Sequence, residues 1–140
     1  MKDFTLVTEE ELNQRINTKS LLPSEGDYGL DCLYYKGDLE IDNHWLFDDS
    51  FYEIADQFPE AEIGTIAIEG NLTIKGNLQI SDRVFCLVIT GNINCENYET
   101  FETEVYLGGN LKAKTFRDND SLTTVKGELL VEKIYKPYEY

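Results

Sequence analysis

The sequence predicts a mainly β fold, a β-solenoid of about five coils with a short α-helical cap at its N-terminal end. From residue 66 onward, aliphatic side chains alternate with polar ones at a period of two, which is typical of strands with one buried face. A motif of glycine, a small polar or acidic residue and an aliphatic residue recurs along the same segment. Its later copies lie 18 residues apart, a spacing typical of stacked coils.

The alternation is clearest between residues 66 and 80, where two glycines interrupt it. The aliphatic residues all occupy even positions: Ile66, Ile68, Leu72, Ile74, Leu78 and Ile80. A single strand of this length would extend about 50 Å at about 3.3 Å per residue, which is too long for one strand in a chain of 140 residues. We therefore expect Gly70 and Gly76 to mark bends between shorter strands.

Further copies of the motif follow at Gly91, Gly109 and Gly127, and Gly37 to Ile41 carries its second half. The spacing is 15 residues from Gly76 to Gly91 and 18 residues at each later step. Stacking such coils merges their aliphatic rows into one core. The polar segments between the copies are expected to be outer turns: residues 81–83, 96–103 and 115–121. An antiparallel meander or a small barrel stays open as the alternative, because a period of two does not distinguish these folds.

Residues 1–65 are predicted to form an acidic cap of helices and strands that packs on a solenoid of residues 66–140, which ends in a tyrosine-rich tail. The two parts are expected to make one structural domain, since the chain has the length of a single domain. Thr8 and Glu11 have the spacing of a capping box and predict a helix to about residue 18. Ser50 and Glu53 repeat that spacing and predict a second helix over residues 51–58.

The repeat resembles bacterial β-solenoid proteins of the bactofilin-like, polymer-forming type, in which steps of glycine, Asp or Asn, and Leu or Ile build each coil. The similarity covers about residues 66–134 and Gly37 to Ile41. It implies a self-assembling scaffold without catalytic residues. The long acidic N-terminal portion departs from that pattern and argues against filament formation.

Charge restricts the possible partners. The chain has 27 acidic and 12 basic residues and a net charge of −15. Between Glu25 and Glu62 there are 12 carboxylates and one basic residue, Lys36. Such a field repels nucleic acids and anionic membranes and attracts a basic protein.

The cysteines, the N-terminal sequence and the lengths of the apolar segments indicate a cellular compartment. Cys32, Cys86 and Cys95 are an odd number and match no zinc spacing, so they are predicted to be reduced core residues. The N-terminus lacks the pattern of a signal peptide, and no segment has the apolar length of a membrane span. These features predict a cytoplasmic protein.

The chemical motifs give little support to an enzyme, and no cofactor or metal is predicted. Gly70 and Gly76 lack the spacing of a phosphate-binding loop. The single histidine, His44, lies outside the repeats, where it cannot be the base between coils that hexapeptide-repeat acyltransferases need. Carboxylates at positions 42, 48 and 49 could join His44 around a divalent cation, but a histidine among carboxylates is more often a surface residue.

A surface for protein binding is the remaining hypothesis. The acidic segment is interleaved with aromatic residues, which supply affinity at interfaces, although most of them are expected to cover the end of the solenoid. The predicted contact residues are Asp38, Asp42, His44, Trp45, Asp48, Asp49 and Tyr52. The favoured function is an immunity-type protein that neutralises a basic bacterial toxin through protein–protein contact. The alternative is a self-associating, bactofilin-like scaffold.

Overall fold

The structure is a computed structural model that describes residues 4–139, except for the side chains of Asp48, Asp49, Ser50 and Tyr52. It is mainly β, with 47% strand and 13% helix, and its strands wind into a β-solenoid of about four turns. Every pairing between successive coils is parallel, which confirms the solenoid and excludes the antiparallel meander.

The elements follow the coils in order. The N-terminal segment contains β1 (Thr5–Val7), α1 (Glu9–Ile16) and α2 (Thr18–Leu21). The first rung contains β2 (Asp31–Lys36), β3 (Leu39–Ile41) and β4 (Trp45–Leu46), and α3 (Phe47–Ala55) follows it. The second and third rungs contain β5 (Ile63–Glu69), β6 (Leu72–Ile74), β7 (Leu78–Ile80), β8 (Cys86–Ile89), β9 (Ile93–Asn94) and β10 (Asn97–Phe101). The last two rungs contain β11 (Glu104–Leu107), β12 (Leu111–Asn119), β13 (Leu122–Val125) and β14 (Leu129–Tyr135).

These strands form three faces, each with five stacked strands. The first face consists of β2, β5, β8, β11 and β13, and β1 adds to its outer edge in antiparallel orientation. The second and third faces share β12 and β14, which continue around the corner from one face to the other. The chain therefore passes through five rungs in about four turns, close to the five coils expected.

The core lies inside the three faces, where equivalent residues of successive coils stack. One row consists of Leu39, Leu72, Ile93 and Leu111, which are at most 1% exposed. A second row contains Trp45, Leu78 and Tyr98, and Tyr98 stacks on Phe116 with ring centroids 5.1 Å apart. Burial of such rows provides the main driving force for folding, because apolar burial contributes about 25 cal/mol per Å².

The N-terminal segment packs on the outer side of the first face. The side chains of Leu12 and Ile16 share a buried cluster with Cys32, Ala67 and Val88. The face is consequently buried on both sides, which matches the continuous burial of β5, β8 and β11. No helix in the described part of the chain has both the length and the apolarity to cross a bilayer.

Both predicted helices are present, although each ends earlier than expected: α1 ends at Ile16 and α3 at Ala55, against expected ends of about 18 and 58. The Thr8–Glu11 capping box is formed, with the Glu11 N–H 3.1 Å from Thr8 Oγ1 and the Thr8 N–H 3.0 Å from Glu11 Oε1. The second helix, α3, begins at Phe47 rather than 51, so that position 50 lies within the helix and is not its N-cap. Phe47 is fully buried and its ring contacts Trp45 at 4.8 Å, so core packing places the start of α3 directly after β4.

The expectation for the outer turns was partly wrong. Residues 82–83 form a turn as expected, but residues 97–101 and 115–119 are strands of the third face. Their inward positions include Thr100 and Asn119, which are fully buried despite being polar. Sequence periodicity counts such residues as exposed, and for that reason it missed the third-face strands of these two coils.

The glycines of the repeat form a stacked corner between the first two faces. The Gly91 N–H donates to the Gly70 carbonyl at 2.8 Å, and Gly109 and Gly127 continue the series. Beside this backbone ladder, the Asn92 N–H donates to Asn71 Oδ1 at 2.8 Å, and the Asn110 N–H donates to Asn92 Oδ1 at 2.7 Å. Gly91 therefore lies above Gly70, and the 15-residue spacing counted from Gly76 does not correspond to a coil.

Candidate functional site

Asp38 begins the ladder at this corner. Its Oδ1 accepts from the Asn71 N–H at 2.9 Å, as an asparagine side chain does in each later coil. The residue is exposed, and its carboxylate faces solvent on the first rung. Its position is compatible with contact to a partner, but its hydrogen bond also has a role in the fold.

His44 has the corresponding place at the second corner. Its Nδ1 accepts from the Asn77 N–H at 2.8 Å. The series continues upward, since Asn97 Nδ2 donates to Asn77 Oδ1 at 2.8 Å and Thr115 Oγ1 donates to Asn97 Oδ1 at 2.6 Å. His44 is thus exposed, but its ring forms a hydrogen bond that connects the first rung to the second.

The remaining predicted residues are not brought together with these two. Asp42 is exposed and pairs with Lys75, with Oδ1 and Nζ 3.3 Å apart. Trp45 is fully buried in the core and presents no surface to a partner, which corrects its assignment as a contact residue. Asp48, Asp49 and Tyr52 lie outside the described side chains.

An open pocket of about 480 Å³ lies at the N-terminal ends of β8, β11 and β13, where the loop after α2 meets the first face of the solenoid. Phe85 and Leu122 form its exposed apolar wall, with 45% and 52% of their surfaces accessible. Tyr28 contacts Phe85 with ring centroids 5.5 Å apart. The charged residues that line the pocket are all carboxylates: Glu102, Glu104 and Asp120.

Glu104 joins the N-terminal segment to the solenoid at the base of this pocket. The residue is 5% exposed, and its carboxylate accepts hydrogen bonds from the Ser24 hydroxyl, from the Ser24 N–H at 3.2 Å and from the Tyr28 hydroxyl at 2.7 Å. Burial raises the pKa of Tyr28, and its bond to the Glu104 carboxylate acts in the same direction, so the phenol stays protonated as a donor. The network fixes both the carboxylate and the aromatic wall.

Glu102 and Asp120 form the rim of the pocket at the third corner. They lie 18 residues apart and occupy the same position in successive coils. Both have a left-handed backbone, with φ of 48° and 56°, and Tyr138 continues the series with φ of 55°. The repeat therefore stacks two exposed carboxylates beside the apolar wall.

This pocket was not among the sites predicted from the sequence. Glu102 and Asp120 carried a usable signal, because their separation equals the length of a coil. Ser24 and Tyr28 carried none, since they lie 80 and 76 positions before Glu104 in an irregular loop. These two residues reach the pocket only because the N-terminal segment packs on the first face of the solenoid.

The three cysteines are buried and unpaired, as expected. Burial raises the pKa of Cys32 and of Cys95 to about 12, and that of Cys86 well above its usual value. Such thiols hold little thiolate at neutral pH and are poor nucleophiles. In the described part of the chain, no group of three or more His, Cys, Asp or Glu residues is arranged to hold a metal ion.

These pKa values predict a loss of stability in alkali. An unfolded thiol loses its proton near pH 8.5, whereas Cys32 and Cys95 keep theirs to about pH 12 in the folded protein. The folded state then binds more protons, so the free energy of unfolding falls as pH rises from about 9 to about 12. Urea denaturation at several pH values measures this slope. The double variant Cys32→Ala/Cys95→Ala should show a shallower slope, and equal slopes would contradict the prediction.

Comparison with known proteins found no match for this chain among family models, curated proteins or solved structures.

Proposed function

We propose that this protein is a non-catalytic, acidic protein-binding module whose partner is basic. The observation that carries the proposal is the pocket at Glu104, where exposed apolar side chains are bordered by three carboxylates and the lining contains no basic residue. The ligand that fits this chemistry is a lysine or arginine side chain, whose aliphatic stem packs on apolar surface while its charged end pairs with carboxylates. Aromatic rings in the wall add a favourable interaction with a cation.

The overall charge supports the same partner. A net charge of −15 attracts a basic protein over distances of about 10 Å at moderate salt and accelerates association. The pocket then supplies a desolvated contact of the kind that dominates affinity. In its most specific form, the proposal is an immunity-type protein that neutralises a basic bacterial toxin.

A titration with an acetylated and amidated decalysine peptide tests the pocket. We expect Phe85→Ala to weaken binding about tenfold, because the lysine stem loses its apolar contact. Leu6→Ala is the matched control, since Leu6 is also an exposed apolar residue, at 40%, and neither change alters the net charge. Equal affinity of the Phe85→Ala variant and the wild type would show that attraction is nonspecific and would refute the pocket.

A second pair of variants compares the pocket with the surface predicted from the sequence. Glu102→Gln/Asp120→Asn and Asp42→Asn/Asp48→Asn each remove two negative charges. The pocket proposal expects the first pair to weaken decalysine binding more than the second at the same salt concentration. A larger loss of decalysine affinity for the second pair would place the binding surface near Asp42 and Asp48 and not at the pocket.

The immunity-type form of the proposal needs a biological readout. Co-expression with a basic toxin domain encoded by a neighbouring gene should preserve cell growth, and the Phe85→Ala variant should protect less. Growth arrest despite stable complex formation would support a protein-binding module but refute toxin neutralisation.

A bactofilin-like scaffold is the second candidate, favoured by the uncovered last rung of the solenoid. Linear stacking also requires an open first rung, yet β1 already pairs with the outer edge of β2. Gel filtration that showed large assemblies persisting in salt would favour the scaffold over the neutraliser.

A further inference from the structure

The last rung of the solenoid leaves core positions uncovered. By register, Leu129 stacks above Leu111 and Ile134 above Phe116, so both belong to inward rows. Leu129 is 38% exposed and Ile134 is 62% exposed, whereas Leu111 is fully buried. The rows of the core therefore continue to the surface at this end of the molecule.

The backbone of this rung is also open. β13 is the last strand of the first face, and β14 pairs only with β12 among the described residues. Each strand thus presents an edge of unpaired N–H and C=O groups, which is a template for another strand. Exposed apolar residues beside an open strand edge indicate an interaction surface.

Charge identifies a second copy of this chain as the occupant. Between residues 122 and 139 there are three lysines and three glutamates, so this end carries no net charge in a protein of net charge −15. Two copies repel each other over their acidic surfaces and approach most easily here. A strongly basic partner, in contrast, gains little from a neutral surface.

We propose that two copies pair tail to tail through β13 and β14 and form a closed dimer. A two-fold axis at the corner between residues 132 and 133 places Glu132 of each copy opposite Lys133 of the other. The same register places Val131 opposite Ile134, and Leu130 opposite Tyr135. Across this axis each charge faces an opposite charge and each apolar residue faces another apolar residue. The same surface of the two copies can therefore pair with itself, as an isologous interface requires.

The pairing closes the assembly at two copies. The contact occupies the open end of each solenoid. At the other end β1 occupies the outer edge of β2, which leaves only the short strands β3 and β4 as edges among the described residues. This dimer does not depend on the pocket at Glu104 or on a basic partner, so its test is separate from that of the proposed function.

Sedimentation velocity of the full chain, without any added ligand, tests the dimer. We expect the wild type to be a dimer, and Ile134→Lys to weaken association at least about tenfold, because it places a charge within the apolar contact. Leu6→Lys is the control, with a similar change at an exposed apolar site on β1. Far-UV circular dichroism checks that both variants remain folded, as expected for exposed positions.

A charge exchange tests the register. Glu132→Lys and Lys133→Glu should each weaken the dimer, because like charges then face each other, and the double variant should restore it. A wild-type monomer at all concentrations up to the millimolar range, a dimer that Ile134→Lys leaves unchanged, or assemblies that grow beyond two copies would overturn the dimer. Failure of the double variant to recover would overturn the register.

Discussion

Replacement of Gly109 by alanine is expected to lower the free energy of unfolding by about 3 kcal/mol. A Cβ atom at this position would overlap Asn92 Oδ1 and would lie 2.7 Å from the Gly91 carbonyl oxygen. Both atoms belong to the corner ladder of the coil below, so relief requires the hydrogen bonds between coils to lengthen. The backbone at Gly109 does not have a left-handed φ, so the expected loss is steric and not conformational.

Gly29→Ala is the control that separates the two causes. Gly29 has a φ of +72°, and nothing lies within 4 Å of the site of its Cβ. Alanine there should cost about 1 kcal/mol through left-handed backbone strain alone. Urea denaturation followed by the fluorescence of buried Trp45 measures both losses. If Gly109→Ala cost no more than Gly29→Ala, close packing between coils would not be the reason for glycine at the corner.

Glu104→Ala is expected to cost about 3 kcal/mol of stability and to release the loop after α2. The substitution removes the acceptor of three hydrogen bonds from Ser24 and Tyr28, in a site that is 5% exposed. A hydrogen bond to a charged group contributes about 1.5 to 3 kcal/mol. The desolvation cost of the buried carboxylate, which alanine does not have, offsets part of the sum over three bonds. Hydrogen exchange at the Ser24 and Tyr28 amides should increase more than at β8.

Glu102→Ala provides the matched comparison for this effect. Glu102 lies two residues away on the rim of the same pocket and is exposed, so its removal should change stability by less than about 1 kcal/mol. Urea denaturation again gives the free energies, and exchange rates give the local effect. Similar losses for the two variants would mean that the buried network at Glu104 does not anchor the N-terminal segment.

The solenoid could be predicted because its information is local and repeated. Each Gly-Asn step places a backbone bend and an amide acceptor at the same point of the coil, and the aliphatic residues around it alternate between the inside and the outside. The spacing of 15 residues counted from Gly76 to Gly91 is not the length of a coil, for a physical reason. Gly70 and Gly76 both precede Asn and Leu, and only closure of the coil shows that Gly91 lies over Gly70.

The candidate site was predicted less well than the fold. Trp45 was assigned to a surface because it lies among carboxylates, but its register with Leu78 directs it into the core. Asp38 and His44 were recognised as exposed, while their hydrogen bonds to the next coil were not foreseen. Composition indicates which groups are present in a segment, whereas their environment depends on the strand that stacks above them.

The sequence by itself determined the coil, its glycine corners and its inward rows, because these depend on alternation and repetition within a few residues. Only the tertiary structure decided where the N-terminal segment packs and which carboxylates it encloses. Ser24 and Tyr28 reach Glu104 across 80 and 76 positions of chain, and no periodicity links them. Contacts of that range are selected by the packing of α1 and α2 on the first face, where burial of apolar side chains stabilises one arrangement of the whole segment.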